Sequence, residues 1–486
     1  MRLPVEVFEK ERHGLFKAAP VRLVSLQDAA QALRESNRPS VHELLAGTDR
    51  LLIQPRCGVG DHQAMVALLK HLEEHGEPDI LTVTIDSYTR LNRYDQAAQN
   101  LAGLNGYPLV THGPARGREL VQSVSCPLQV RHGSPDGRLL AEVTYASGIS
   151  AFEGGGISYN LPYAKGISLR TSLAHWQYVD RLTGLLSEGS VLDRETFGPL
   201  TSVLTPPSIS IAVSVLEMLL AVEQGVRCVT IGYPETGALV QDVAAVRAIP
   251  GLCRRYLQAL ELPQPEIFIS FHQWMGVFPD DQARALALMA AGVVTAIMGG
   301  AHKLINKTFQ ESLGIPSAEA NATSIRFCRD VAHYGEAWAR VSLPRESLEE
   351  ENYWLGREVD ELLQPVLQAG TPDLAAAVAS AFEAGRLDIP FPASRHARGA
   401  VIPARDRDGA IRYLEAGHLP FSDATLAFHR RTLAGRHGAG IHGILRDLYL
   451  LARGRGAPTS RRRPTAKPAP PADPADVVAG GSPEAA

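Results

Sequence analysis

Short runs of β-branched and other apolar residues recur through the middle of the chain, each followed by a stretch with helical character. Eight such pairs lie between about Leu51 and Arg340. Because strands that alternate with helices pair in parallel, this order predicts an α/β fold. Eight units over about 290 residues suit a TIM-type (β/α)8 barrel, typically of about 250 residues. The alternative is an open doubly wound sheet, which usually begins with a glycine-rich phosphate turn, and no such motif follows the first predicted strand.

Regions of different composition flank the eight units. We expect residues 1–50 to form a helical N-terminal extension, residues 51–340 the catalytic barrel, and residues 341–456 an α-rich region that packs on the barrel. Residues 457–486 are rich in alanine, proline, glycine and serine, with few larger apolar side chains. Such a segment buries too little apolar surface to offset its ordering entropy. We therefore expect this tail to be disordered.

Charge and cysteine content argue against several classes of function. The chain has 48 Lys and Arg against 52 Asp and Glu, a net charge of −4, which is unlike a nucleic-acid-binding protein. We expect no apolar run of the roughly 18 residues that a membrane span needs, and the N-terminus lacks an apolar signal core. Five dispersed cysteines without a CxxC pair are typical of reduced thiols. These features predict a cytoplasmic protein with no membrane, nucleic-acid or metal site.

Polar residues stand where the predicted strands end, which is where a barrel carries its chemistry. Strand five is predicted at Phe197–Leu204, so that Phe197 and Gly198 begin it. The other candidate site residues follow strands one, two, three, four and eight: Arg56, Arg90, Arg131, His132, Glu153, Tyr159, Tyr163, Lys307 and Glu311.

Three of these residues are arginines from three different strand ends. Arginines that converge on one mouth would attract an anion, and a guanidinium binds a carboxylate through two parallel hydrogen bonds. This pattern favours a ligand with two carboxylates, and Glu153 would then suit a substrate ammonium. The alternative is that the arginines pair with barrel acids such as Asp86 and Asp95.

Structural interpretations remain open for other candidates. Lys307 and Glu311 have the spacing of an ordinary i,i+4 surface pair, and Tyr159 and Tyr163 could simply pack together. The segment 71–75, with the sequence HLEEH, matches the H-x-x-E-H signature of some zinc proteases. It falls on the helix between strands one and two, away from the strand ends, so an amphipathic surface helix is the better interpretation.

Several segments at these strand ends resemble the large (epsilon, or E) subunit of glutamate mutase, also called methylaspartate mutase. The resemblance runs from about Leu51 to Glu415, and its longest shared runs occur in the same order in both. These segments are Gln54-Pro55-Arg56, Thr84–Arg90, Arg131–Asp136, Glu153–Asn160, Phe197–Leu200 and Phe271–Gly276.

The resemblance implies a (β/α)8 barrel enzyme and a reaction. The family interconverts L-glutamate and (2S,3S)-3-methylaspartate by a radical rearrangement that depends on adenosylcobalamin. By matching position, Arg56, Arg90 and Arg131 would clamp the substrate carboxylates. Glu153 would accept the substrate ammonium and could act as a base. The remaining substrate-binding residues would be His132, Tyr159 and Tyr163.

The resemblance also implies contacts with the cofactor and a partner. Lys307 and Glu311 would contact the adenosyl ribose, with Phe197 and Gly198 nearby, and Arg56 would face the adenosyl group. The chain lacks D-x-H-x-x-G, the cobalt-ligating motif that the family carries on a separate small subunit. The resemblance thus implies a partner of that kind, in a heterotetramer of two large and two small subunits.

Two alternatives to glutamate mutase activity stay open. The same radical chemistry could act on a related amino acid. The barrel could also serve as a non-catalytic binding subunit, although adenosyl contacts would then have no use.

Overall fold

The chain forms a nearly closed barrel of eight parallel strands surrounded by helices. The structure, a computed structural model, describes residues 1–36, 39–337, 343–436 and 440–453. Hydrogen-bonded neighbours follow the order β1-β8-β7-β6-β5-β4-β3-β2, and every pairing is parallel. The predicted (β/α)8 barrel with N- and C-terminal extensions is confirmed. The strands are β1 Leu52–Gln54, β2 Leu81–Thr84, β3 Leu128–Arg131, β4 Ala151–Glu153, β5 Asp193–Thr196, β6 Cys228–Pro234, β7 Glu266–His272 and β8 Lys303–Ile305.

Backbone hydrogen bonds bring β1 and β2 together where the ring would otherwise open. The amide of Asp79, just before β2, donates to the carbonyl of Ile53 in β1 at 3.0 Å. The amide of Ile53 donates in turn to Oδ2 of Asp79 at 2.8 Å. At the end of β2, the amide of Thr84 donates to the carbonyl of Cys57, which follows β1, at 2.9 Å. Because buried backbone groups need partners, these bonds replace a regular ladder at the seam.

The position predicted for the fifth strand is wrong. The strand is Asp193–Thr196, which ends just before the predicted start at Phe197. Three residues of the predicted segment, Leu200, Ser202 and Leu204, have positive φ values of 52°, 65° and 53°, which no β-strand accommodates. The true strand is charged, and all four of its residues are buried. Its burial depends on partners from other strands, which a local sequence pattern does not reveal.

Helices fill the connections and both extensions, and a two-stranded antiparallel hairpin lies near the C-terminus. The elements are α1 Val5–Lys17, α2 Leu26–Glu35, α3 Val41–Ala46, α4 His62–Gly76, α5 Ser87–Arg90, α6 Tyr94–Gln99, α7 Leu109–Ser123, α8 Arg138–Ala146, α9 Leu169–Leu186, α10 Pro207–Glu223, α11 Leu239–Ala259, α12 Gln282–Gly299, α13 Ala318–Gly335, α14 Arg345–Leu367, α15 Leu374–Ala384, β9 Ile402–Arg405, β10 Ile411–Glu415, α16 Asp423–Leu433, α17 Gly440–Leu448 and α18 Leu450–Arg453.

The two extensions lie against the outer ring of the barrel. At the N-terminal end, α2 packs on α8 and α9; at the C-terminal end, α14 packs on α10 and α11 while α15 packs on α9. The division into regions at residues 50, 340 and 456 stays a prediction. The tail predicted to be disordered, residues 457–486, lies outside the described residues.

Helix α12 contradicts the expectation that no apolar run reaches the length of a membrane span. It has 18 residues with a mean hydropathy of 1.4, which suffices on length and composition alone. In the barrel, α12 packs between α11 and α13, and its buried residues include Met289 and Val293. Contacts inside the outer ring therefore account for its apolar composition.

We predict that Asp79→Ala destabilises the barrel at the seam. The change leaves the buried amide of Ile53 without its carboxylate acceptor and removes the partner of Arg50, which donates to Asp79 at 3.0 Å. The free energy of unfolding should fall by about 1–3 kcal/mol, measured by urea denaturation. The control is Asp49→Ala, because Asp49 is exposed and has no partner among the described residues. Equal stability of the two variants would contradict the prediction.

Candidate active site at the carboxyl end of the barrel

A cavity of about 540 Å³ opens at the end of the barrel where the strands finish. Loops that follow β1 to β5 and β7 contribute to its walls. Gly198, Lys307 and Glu311 are not among the lining residues. The cavity brings together eight of the predicted site residues: Arg56, Arg90, Arg131, His132, Glu153, Tyr159, Tyr163 and Phe197.

Arg131, the last residue of β3, lies on the floor of the cavity between two buried carboxylates. Nη2 donates to Oε1 of Glu153 at 3.0 Å, and Nη1 donates to Oε1 of Glu195 at 3.0 Å. The residue is 3% exposed. The alternative of pairing with barrel acids is therefore right for Arg131, although its partners are Glu153 and Glu195 rather than Asp86 or Asp95.

A second cation lies deeper in the barrel and balances the charge of this floor. Nζ of Lys303, in β8, lies 2.7 Å from Oε2 of Glu195 and 3.5 Å from Oδ2 of Asp193, both in β5. Burial by itself raises the pKa of Glu195, but the cations of Arg131 and Lys303 bring that pKa well below its usual range. The floor is thus a buried network of fixed charges that joins β3, β4, β5 and β8.

Arg56 and Arg90 differ from Arg131 because they lack counter-ions. Nε of Arg90 donates to the carbonyl of Ile85 at 2.8 Å, and no other hydrogen bond of its guanidinium involves a described residue. Arg56 makes no hydrogen bond or ion pair with any residue that the structure describes. Burial and the charge of Arg56 both lower the pKa of Arg90. Two neighbouring cations therefore face the cavity without a direct ion pair to a described residue, although Glu153 lies close enough to Arg56, and Asp86 to Arg90, for their charges to interact. A pair of cations that is not bound to internal carboxylates favours binding of an anion.

The nearby carboxylate of Asp86 uses one of its oxygens to hold the chain, while its Oδ2 is buried and has no hydrogen-bond partner among the described residues. Its Oδ1 accepts hydrogen bonds from the amides of Tyr88 at 2.8 Å and Thr89 at 3.0 Å. Asp86 is thereby the N-cap of α5, the short helix that ends at Arg90. The predicted alternative of an Arg90–Asp86 ion pair is wrong, since the carboxylate holds the helix turn instead.

Glu153 has one oxygen on the floor and the other on the wall of the cavity. Besides Arg131, it accepts a hydrogen bond from the phenol of Tyr159. Complete burial raises the pKa of Glu153, with Arg131 opposing the shift. Burial, followed by the charge of Glu153, raises the pKa of Tyr159, so this phenol stays a hydrogen-bond donor.

His132 has a buried hydrogen-bond donor without a partner among the residues that the structure describes. Its Nδ1 accepts from the amide of Ser134 at 3.0 Å, which places the proton of the neutral ring on Nε2. Nε2 is buried and unpaired among the described residues. Burial and then Arg90 lower the pKa of His132 well below its usual range, so the ring stays neutral. An unpaired buried donor in a cavity wall is suited to a ligand oxygen.

Aromatic rings line part of the wall and pack behind it. The ring of Trp176 stacks on His132, with centroids 5.6 Å apart and planes at 5°. Tyr159 contacts Phe197 at 4.9 Å and Tyr163 at 5.9 Å between centroids. Packing therefore explains part of the tyrosine pattern, while the phenol of Tyr159 is still directed to Glu153.

Lys307 and Glu311 form an ion pair of 2.7 Å beside the cavity. The alternative of an ordinary i,i+4 surface pair is wrong, because Lys307 is buried, with only 8% of it exposed. Burial lowers the pKa of Lys307, and Arg56 lies close enough to lower it further. Gly198 turns the chain out of β5 with a φ of 59°, and a Cβ there would lie 1.7 Å from the carbonyl of Gly232.

Sequence reasoning missed two residues that complete the floor. Glu195 was missed because β5 was predicted too late in the chain. His272 ends β7 inside the segment Phe271–Gly276 of the resemblance, but it was not among the candidate site residues; its Nε2 lies 3.3 Å from Nη2 of Arg131. Burial lowers the pKa of His272 to about 3, so this ring is neutral. A correct strand boundary was the signal that could have found Glu195.

The H-x-x-E-H segment lies on α4, in the outer ring. Its Glu73 accepts hydrogen bonds from the amides of Ser125 and Cys126, and His71 lies 3.5 Å from Glu319. Within the described ranges, no group of three His, Cys, Asp or Glu side chains is arranged to hold a metal ion.

The chain is similar to the members of one known protein family. Residues 38–451 match the model of the family described as methylaspartate mutase E chain. The glutamate mutase epsilon subunit of Desulfitobacterium hafniense is 45% identical over 416 residues, which cover 82% of this chain and 85% of that protein. The glutamate mutase epsilon subunit of Halobacterium salinarum is 46% identical, covering 81% and 83%. That of Escherichia coli O157:H7 is 43% identical, covering 84% and 86%.

The family match covers the barrel and most of the C-terminal region. The alignments with these three relatives each cover more than four fifths of the chain. The arginine-lined cavity lies entirely within the matched residues. The chain therefore belongs to the methylaspartate mutase E chain family, that of the glutamate mutase epsilon subunits.

Proposed function

We propose that this chain is the catalytic large subunit of an adenosylcobalamin-dependent mutase that interconverts L-glutamate and (2S,3S)-3-methylaspartate by a radical mechanism. Family membership supports a mutase. The observation that carries the substrate assignment is that Arg56 and Arg90 line one cavity with Glu153 and lack counter-ions among the described residues. Two free cations and one carboxylate complement the two carboxylates and the ammonium of an acidic amino acid.

The side chains of this chain would hold the substrate in place during the rearrangement. Arg56 and Arg90 would bind carboxylate oxygens, and Arg131 would complete the clamp from the floor, where it also fixes Glu153. Glu153 would accept the ammonium, because burial makes its carboxylate a stronger base. The free Nε2–H of His132 would donate to a substrate oxygen. The aromatic wall would exclude water from a reactive intermediate.

The residues beside the cavity fit the adenosyl part of the proposed cofactor. Glu311 offers carboxylate oxygens and Lys307 an ammonium next to the cavity, the groups that ribose hydroxyls need as acceptor and donor. Phe197 offers an apolar ring at the same mouth. When bound, adenosylcobalamin would supply the radical that starts the rearrangement. The chain has no D-x-H-x-x-G segment, so the cobalt ligand would come from the partner.

The rim of the cavity supports a small cobalamin-binding subunit as that partner. Several large apolar side chains stand exposed on the loops after β2, β4, β7 and β8, and exposed apolar surface around a site can serve as an interface. Their exposed fractions are 59% for Leu91, 48% for Tyr163, 41% for Val277, 73% for Leu313 and 70% for Ile315. On this proposal two large and two small subunits form a heterotetramer. We also propose a cytoplasmic location, in keeping with five free cysteines.

The test of the proposed function is reconstitution. The full chain is mixed under anaerobic conditions with a small subunit that carries D-x-H-x-x-G, adenosylcobalamin and L-glutamate, and 3-methylaspartate is measured by NMR. We expect 3-methylaspartate to accumulate only when all four components are present. If the mixture converts another amino acid and not L-glutamate, that amino acid is the substrate and the proposed glutamate specificity is wrong. No turnover and no cobalt-radical signal in electron paramagnetic resonance would favour a non-catalytic binding subunit.

We predict that Arg131→Lys severely impairs turnover. Lysine keeps the charge but has one nitrogen, which is unable to bridge Glu153 and Glu195 as the two Nη atoms do. Because a shift of about 1 Å in a catalytic group can lower the rate by about 100-fold, we expect a loss of about that size in kcat/KM. The matched control is Arg170→Lys, since Arg170 is exposed and pairs with Glu383 on the surface. Kinetics of Arg131→Lys like those of the control would disprove the role.

A further inference from the structure

Glu217 is a buried carboxylate that the proposed reaction does not use. It lies on α10 and is 3% exposed. Its Oε1 accepts hydrogen bonds from the amide of Ile157 at 2.9 Å and from the amide of Ser158 at 2.8 Å. Its Oε2 accepts a hydrogen bond from the hydroxyl of Ser158 at 2.9 Å. No described cation forms an ion pair with it. Its bonds all go to one turn of the chain.

That turn connects the floor of the cavity to its wall. It begins at Gly154, directly after Glu153, and includes Tyr159, whose amide donates to the carbonyl of Gly155 at 3.1 Å. The phenol of Tyr159 then returns to the carboxylate of Glu153. A displacement of the turn would therefore move the phenol relative to Glu153.

Two glycines make close contacts with the backbone of the turn possible. A Cβ on Gly155 would lie 2.0 Å from Oε1 of Glu217. A Cβ on Gly154, which has a φ of 136°, would lie 2.6 Å from the ring of Tyr159. The close approach of the Glu217 carboxylate to the backbone thus requires glycine.

The other end of the turn is held by a second anchor. Nη1 of Arg194, in β5, donates to the carbonyl of Gly154 at 2.8 Å, and its Nε donates to Asp180 at 2.7 Å. Arg194 fixes where the turn begins, but among the described residues only Glu217 accepts hydrogen bonds from the amides of Ile157 and Ser158, which precede Tyr159. The orientation of the tyrosine therefore depends on Glu217.

We propose that Glu217 is a positioning residue of the active site, which holds the turn 154–159 so that the phenol of Tyr159 donates to Glu153. The inference rests on the proposed function for its kinetic consequence but not for its geometry. Burial raises the pKa of Glu217 to about 7, so a neutral side chain of the same shape can take its place.

This property supplies a conservative variant. In Glu217→Gln the amide oxygen can accept the two backbone amides, and the amide nitrogen can donate to the hydroxyl of Ser158. In Glu217→Leu these partners are lost while the volume is retained. We expect kcat to fall at least about tenfold in Glu217→Leu with little change in the KM for glutamate, and Glu217→Gln to restore most of the rate.

A double-mutant cycle separates positioning from general destabilisation. Tyr159→Phe removes the phenol directly. If Glu217 acts through that phenol, adding Glu217→Leu to Tyr159→Phe should lower kcat by less than about twofold, because the two effects are not additive. The control is Glu358→Leu, another buried glutamate that bonds α10, through Ser208. It should lower the melting temperature and leave kcat unchanged.

A spectroscopic measurement tests the geometry without turnover. With 3-fluorotyrosine at position 159, the fluorine NMR resonance of the isolated chain should shift in Glu217→Leu but not in Glu217→Gln or Glu358→Leu. If the resonance shifts in Glu217→Leu but the wild-type chain fails to convert glutamate, the proposed function is lost and the positioning role stays intact. An unshifted resonance with additive kinetics would overturn the positioning role.

A second variant guards against failure to fold. Gly155→Ala places a methyl group where the Glu217 carboxylate lies, so it removes the same contact from the other side. The fluorine resonance should shift in the direction seen for Glu217→Leu. A folded Gly155→Ala variant with the wild-type resonance would likewise overturn the proposal.

Discussion

The buried contact of Arg131 with Glu153 and Glu195 is the constraint on which the site depends. Each group comes from a different strand, and none is more than 3% exposed. A buried ion is tolerable only when its partners are in place, because removal of one leaves an uncompensated charge in a medium of low polarity. The register of β3, β4 and β5 at the mouth is therefore tied to a charge pattern as well as to backbone hydrogen bonds, and Lys303 extends that pattern to β8.

The charges on the floor of the cavity are paired, whereas polar groups in its upper part lack partners among the described residues. Below, every charge has an opposite neighbour. Above, Arg56 and Arg90 form no ion pair with a described residue, and the Nε2–H of His132 is unpaired among those residues. Arg56 and Arg90 are half-buried and His132 is buried. Polar groups withdrawn from water without partners are unfavourable in the free protein, so a ligand that pairs with them gains affinity without having to displace internal partners. The same contrast separates the three arginines. All three lie near the ends of predicted strands in the sequence, but Arg131 is bound to internal carboxylates, whereas Arg56 and Arg90 can bind a ligand.

Some of this organisation could be predicted from the sequence. Seven of the strands coincide with apolar runs that can be recognised from the neighbouring sequence alone. The arginines and Glu153 stand where those runs end. The strand Asp193–Thr196 could not be recognised, because three of its four residues are charged and their partners, such as Arg131 and Lys303, are 64 and 110 residues away. Helix α12 shows the converse: an apolar composition that suggests a membrane span is explained by its neighbours α11 and α13.

The sequence by itself determined the eight-fold alternation, the placement of functional side chains at the strand ends, and the resemblance that the family match confirms. These are properties of local periodicity and of residue order, which need no knowledge of distant contacts. Only the tertiary structure decided which arginine is paired and which is free, that Glu195 and His272 belong to the floor, and that Glu217 on an outer helix bonds the turn that carries Tyr159. Pairing and burial are set by side chains far apart in the chain, and their distances exist only once the barrel has closed.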